Sequence, residues 1–110
     1  MRAGFKELIP LAVKRSLTKF GRDIRTARRK RRLSVEMMLE RTGLSKATYS
    51  RVVKGDESTS IGAYAMCLFA LGHGSSFGNL LDQSSDQTGL LLDTERLPKR
   101  IRASAKKETD

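Results

Sequence analysis

The sequence predicts an all-α bundle of five helices, entered by a long first helix and followed by a flexible tail. Three observations predict it. Val13, Leu17, Phe20, Ile24 and Ala27 recur at alternating four- and three-residue steps, which is one face of a helix. Ser34, Ser45 and Ser60 stand where helices would start, and Gly43 and Gly55 where two of them would stop. The run from Ile61 to Leu71 is nearly uncharged and about half the length a membrane span needs. It therefore reads as a buried helix.

Each element can be justified in chain order. Residues 1–10 form an N-terminal segment in which Gly4 and Pro10 interrupt the pattern of Phe5, Leu8 and Ile9. Pro10 is suited to opening a helix, because its missing N–H costs little in a first turn. Behind the apolar stripe of the first helix lie Lys14, Arg15, Lys19, Arg22, Arg25, Arg28 and Arg29, and ARRKRR closes it. Basic residues suit a helix C-terminus. Ser34 then caps a two-turn helix, SVEMMLERTG, with Val35, Met38 and Leu39 on its apolar face. Gly43 suits the left-handed position after it, and only Leu44 separates Gly43 from Ser45. Two short helices joined so tightly predict a helix-turn-helix over residues 34–55. The second of them, in GLSKATYSRVVKG, turns Leu44, Tyr49 and Val52 inward and Lys46, Arg51 and Lys54 outward. DESTS is a polar loop, and the fourth helix follows. GHGSS breaks it, and FGNLLD adds a short fifth helix with Phe77, Leu80 and Leu81 packing inward. QSSDQTG is linker-like. Leu90–Leu92 is too short for a helix of its own and could form a strand. The expected division is a domain over 11–82, a linker and partner segment over 83–103, and a disordered tail over 104–110.

Charge points to the partner. The chain has 110 residues and a formal net charge of +10. Residues 1–55 carry 16 Lys/Arg against 4 Asp/Glu, residues 56–95 carry no Lys/Arg and 6 acids, and residues 96–110 carry 6 basic and 2 acidic residues. This partition suits a polyanion-binding half, a packing half and a basic tail. Cys67 is the single cysteine, so no internal disulfide can form. The start lacks a signal-peptide pattern, and a soluble, cytoplasmic protein is expected.

The residues from Phe20 to Asp82 resemble the Xre/Cro-type helix-turn-helix regulators. The resemblance lies in FGRDIRTARRKRRLS, in the E-x-x-x-E-R-T-G-L-S-K-A-T-Y-S-R run from Glu36 to Arg51, and in the KG that follows. It implies a lambda-repressor-like five-helix DNA-binding bundle. IGAYAMCLFALG and the later GLLLDTERLPKRIR are similar to the HipB-like antitoxins. That similarity implies a dimeric repressor of a type II toxin–antitoxin operon that also binds and neutralises a HipA-type kinase toxin. Two positions depart from the pattern. Val35 stands where many members have a phosphate-contacting Gln, and Leu39 where a small alanine lets the motif helices approach.

In this motif the second helix enters the major groove with its N-terminal residues over the base edges. The resemblance puts Lys46, Ala47, Ser50 and Arg51 at base-contacting positions. Arg51 or Lys46 could donate to guanine, and Ala47 could pack on a thymine methyl. Ser45, Thr48, Lys54, Arg22 and Arg25 fall at phosphate-contacting positions. A homodimer on a palindromic operator would multiply the few base pairs that one domain reads. Its expected interface comprises Tyr64, Leu68, Phe77, Leu80, Leu81, Leu90 and Leu92, the alternative being that the fourth helix completes a monomeric core. Enzyme, metal and cofactor readings lack parts: His73 and Cys67 stand alone, and no Cys/His spacing suits zinc. A membrane-surface helix over Val13 to Arg32 is disfavoured by the absence of Trp. A phage- or plasmid-type repressor without a toxin, or a module that chiefly binds proteins, are the alternatives to the antitoxin.

Overall fold

The computed structural model describes residues 4–95. The described chain is all-helical: α1 (Gly4–Leu8), α2 (Leu11–Lys30), α3 (Val35–Thr42), α4 (Lys46–Val53), α5 (Ile61–Ala70), α6 (Gly74–Phe77) and a seventh helix, α7, over 87–95. It divides into two compact units, Met1–Phe77 and Gly78–Asp110. The expected disordered tail and the LPKRIR stretch lie outside the described residues.

Local chemistry sets the ends of the helices in the first unit. Pro10, in extended backbone, precedes α2. Ser34, Ser45 and Ser60 each accept a backbone N–H three residues on, from Met37, Thr48 and Ala63 respectively, at 3.1 Å. The Met37 sulfur returns the favour to the Ser34 N–H at 3.4 Å. Gly43 ends α3 at φ 74°, its N–H bonded to the Leu39 carbonyl at 2.8 Å. The end of α2 has no glycine. Arg32 takes the left-handed conformation instead, at φ 56°, and its N–H and that of Leu33 close back onto the carbonyls of Arg29 and Arg28. That is a Schellman closure built on an arginine.

The core consists of Ile24, Met38, Tyr49, Val52, Ala63, Tyr64, Cys67 and Leu71. Phe20, Ala27, Leu33, Val35 and Leu39 pack against it, and Phe20 stacks on Tyr64 with ring centroids 5.5 Å apart. The main packings are α2 on α4, α3 on α5, α4 on α5 and α5 on α6. The expected stripe on α2 is buried only in its second half. Val13 is 46% exposed, whereas Ile24 is 2% exposed. The reason is length: α2 has 20 residues and α4 only 8, so α4 cannot cover all of it.

Five expectations need correction. Leu90–Leu92 is helical, not a strand. Asp86 starts α7, its carboxylate accepting the Gly89 N–H at 3.1 Å and its carbonyl the Leu90 N–H at 2.9 Å, so the linker reading of 83–89 ends at that cap. FGNLLD is not a helix. α6 ends at Phe77 and residues 78–81 form turns, which leaves Leu80 and Leu81 each 73% exposed instead of packed inward. The first unit accordingly closes at Phe77, before the expected boundary at Asp82. The fourth helix, α5, is not buried on most sides: Ala63, Tyr64 and Cys67 are buried, but Ile61 and Phe69 are 66% and 64% exposed.

Two core groups link stability to pH. Burial pushes the Tyr64 phenol up to about 12 from 10.0, with Asp56 and Glu57 adding to the shift. Burial also pushes the Cys67 thiol up to about 11 from 9.0. Both groups ionise more readily in the unfolded chain. The stability they contribute is therefore complete below pH 9 and is lost as pH rises toward 12. Melting temperatures by circular dichroism should fall across that window, and less steeply in Tyr64→Phe. Parallel declines in the two proteins would contradict the assignment. Asp56 has the opposite sign. Its hydrogen bond from Thr59 leads the causes that hold it below 3.8, so its contribution is present above that value and lost on acidification.

Candidate nucleic-acid interface

The α3–turn–α4 segment is held by its own side chains. Thr42, buried, donates its hydroxyl to the Met38 carbonyl at 2.8 Å and accepts the Leu44 N–H at 3.2 Å. This stitches the last turn of α3 to the first residue of the connection. Ser45 then caps α4 and also donates its hydroxyl to Thr48 Oγ1 at 3.0 Å. Tyr49 and Val52 face the core, and Lys46, Ala47 and Arg51 are exposed.

Two glycines set how closely α4 lies on α2. Gly21 is buried, and a Cβ on it would come within 2.5 Å of the Val52 carbonyl oxygen and 2.6 Å of that of Val53. Gly55 adopts φ 73°, and a Cβ on it would meet the backbone of Leu17 and Thr18. The two backbones thus touch without side chains between them. This contact brings the basic face of α2 alongside α4.

An open groove of about 550 Å³ results. Its rim is basic: Arg25, Arg28 and Arg29 from α2, and Lys46 and Lys54 from α4 and its end. Val35, Tyr49, Ser50 and Val53 complete it. The structure therefore brings together four of the expected contact residues: Lys46, Ser50, Lys54 and Arg25. Arg51 lines a separate recess with Lys14, Thr18, Lys54, Asp56 and Glu57. Arg22 lines a third, shallow one with Leu11, Lys14, Arg15 and Lys19. Among the described residues the ion pairs are Lys19–Asp23 at 2.7 Å and Lys6–Asp56 at 3.8 Å. The cations of the groove thus have no carboxylate within 4.0 Å in that part of the chain. Val35 presents apolar surface to this groove.

No family model, curated protein or solved structure matches this chain. None of the described helices is long and apolar enough to cross a membrane, and no group of three metal-ligating side chains occurs among the described residues. Cys67 is buried with its thiol shifted upward, so it is protonated at neutral pH.

The expected dimer residues divide. Tyr64 is 4% exposed and its hydroxyl donates to the Asp56 carbonyl at 2.8 Å, so it is a core residue and not an interface residue. Leu68 and Phe77 are half-buried, and Leu80, Leu81, Leu90 and Leu92 are exposed. Sequence reasoning missed three functional supports. Gly21 was detectable, because an isolated glycine inside a helical pattern often marks close packing. Thr42 and Arg28 gave no distinguishing signal. Arg28 looked like one more surface cation, yet its Nε donates to the Tyr49 hydroxyl at 3.0 Å and its Nη1 to the Leu33 carbonyl at 2.6 Å.

Proposed function

We propose that this protein is a sequence-specific double-stranded DNA-binding transcriptional repressor that acts as a dimer on a palindromic operator. One observation carries the reading. A short helix with a capped N-terminus presents Lys46, Ala47 and Arg51 to solvent beside a groove rimmed by cations from a second helix. Duplex DNA is the partner whose geometry uses both features. The helix fits a major groove, and the flanking cations meet the phosphates on its edges. Lys46, Ala47, Ser50 and Arg51 read bases in this proposal, and Ser45, Thr48, Lys54, Arg22 and Arg25 hold the backbone. A second copy brings a second helix to a half-site about one helical turn, roughly 10 bp, away.

Selection from a random duplex pool, followed by gel shifts on the selected site, tests this reading. Arg51→Ala should relax the preference at one position per half-site, at about 1–3 kcal/mol of discrimination. Lys54→Ala should weaken selected and unrelated duplexes alike. Retention of full specific binding by both variants would remove α4 as the recognition helix.

The resemblance to HipB-like antitoxins extends the proposal to a HipA-type kinase toxin as a second partner. The exposed leucines at 80, 81 and 90–92 favour some protein partner for the second unit. Copurification of a kinase encoded beside this gene would support the antitoxin reading. A chain that leaves the column alone, when expressed from its whole operon, would point to a repressor without a toxin.

A further inference from the structure

The groove contains a pair whose hydrogen bonding is incomplete. A guanidinium carries five N–H donors. Arg28 uses its Nε toward the Tyr49 hydroxyl and one from Nη1 toward the Leu33 carbonyl. The phenol is an acceptor in that bond, so its own proton needs a further acceptor, and it meets none among the described residues. Both groups line the same groove as Arg25, Arg29 and Lys46. Tyr49 is otherwise a core residue, 4% exposed, so its ring cannot swing out to find water without opening the core. Arg28 in turn is fixed at both ends of its reach, by the loop that follows α2 and by α4. The guanidinium is therefore held in place, with no carboxylate within 4.0 Å among the described residues. A rigid cation beside a pre-oriented hydroxyl donor suits a phosphate oxygen.

We propose that Arg28 and Tyr49 form a phosphate clasp. The Tyr49 O–H and the outer edge of the Arg28 guanidinium together take one backbone phosphate of the bound duplex. The inference rests on the reading of α4 as a DNA-recognition helix and adds two residues to it, one of them drawn from the core. Its consequence is positional. The phosphate is bound by a residue of α4 itself and by the arginine that ties α4 to α2, so it sets the depth and angle at which Lys46 and Ser50 approach the bases.

Tyr49→Phe keeps the packed ring and deletes the donor. It should weaken binding to the selected duplex and to unrelated duplexes by about tenfold, the loss expected for one hydrogen bond to a charged acceptor. Ethylation of single phosphates identifies the one concerned. One phosphate per half-site should block the wild-type protein when ethylated and matter little to Tyr49→Phe. Arg28→Lys keeps a charge but loses the fork, and should show the same indifference at the same phosphate. Circular dichroism melts of each variant identify any that fail to fold, and Tyr49→Phe remains the decisive one. If every phosphate that blocks the wild type blocks Tyr49→Phe equally, the clasp is wrong. Failure of the wild type to bind any duplex would instead overturn the parent reading. In that case a titration with inorganic phosphate, followed on the Arg28 Nε–H resonance, decides the clasp. A shift in wild type that is absent in Tyr49→Phe supports it, and no shift in wild type overturns it.

Discussion

Gly21→Val is expected to abolish the folded first unit, and Gly55→Ala to leave it severely destabilised. At Gly21 the obstacle to any Cβ is backbone. The Val52 and Val53 carbonyl oxygens would lie at 2.5 and 2.6 Å, and the Gly55 nitrogen at 2.7 Å. Those carbonyls belong to the last turn of α4, so they cannot move aside without loosening α4 or lifting it off α2. At Gly55 two costs coincide. A φ of 73° strains any residue with a Cβ, by about 1–3 kcal/mol. The encounter with the Leu17–Thr18 backbone adds an overpacking cost of about 1–3 kcal/mol. Domains of this size are stable by only about 5–15 kcal/mol, so about half the reserve is at stake in the milder variant. Denaturant titration followed by circular dichroism measures both. Gly43→Ala serves as a comparison, because Gly43 shares the left-handed backbone, at φ 74°, but its Cβ would meet nothing within 4 Å. It should show the strain cost alone. Equal losses at Gly43 and Gly55 would contradict the close approach of α2 and α4.

Raising salt from about 50 mM to about 200 mM is expected to weaken duplex binding by about a thousandfold or more. The size follows from the number of phosphates that the proposed interface neutralises. Arg22, Arg25, Arg28 and Lys54 provide about four per protomer, or about eight in a dimer, within the range for which such losses are usual. The physical source is the release of counterions condensed on DNA, which becomes less favourable as bulk salt rises. Fluorescence anisotropy over a salt series gives the slope. Lys54→Ala should reduce it by about two per dimer, one for each copy of the lost contact. Tyr49→Phe should reduce it by no more than that amount, because the one phosphate it releases per copy is the one that Arg28 shares with the hydroxyl. Tight binding with a slope near zero would mean that the basic groove does not face phosphate.

Much of the fold was legible because the relevant forces are local. Ser34, Ser45 and Ser60 act on N–H groups three residues away, and Gly43 and Gly55 act on the turn in which they stand. Such residues reveal the start and end of a helix wherever the rest of the chain goes. Failures occurred where the deciding partner was local but ambiguous. Arg32 closes α2 in a conformation more often taken by glycine, and nothing in ARRKRR marks it. Asp86 opens α7 from a stretch whose Ser, Gln and Gly suggested a linker. The short leucine run after it carries no period long enough to separate helix from strand.

The candidate site divides the same way. Lys46, Arg51 and Lys54 could be placed on the outward face of α4 from helical spacing. That Lys46 and Ser50 share a groove with Arg25 while Arg51 opens on a recess with Asp56 and Glu57 could not, because the neighbours come from α2 and from the loop after α4. The sequence by itself determined an all-helical chain, the short helix pair over 34–55 and the concentration of positive charge in its first half. Only the tertiary structure decided that the α2 stripe stays exposed at Val13, that Gly21 and Gly55 let two backbones meet, and that Arg28 reaches across to hold Tyr49. The reason is reach. A cap or a turn residue acts across about four positions, whereas Gly21 meets Val52 and Arg28 meets Tyr49 across long stretches of chain that only folding brings together.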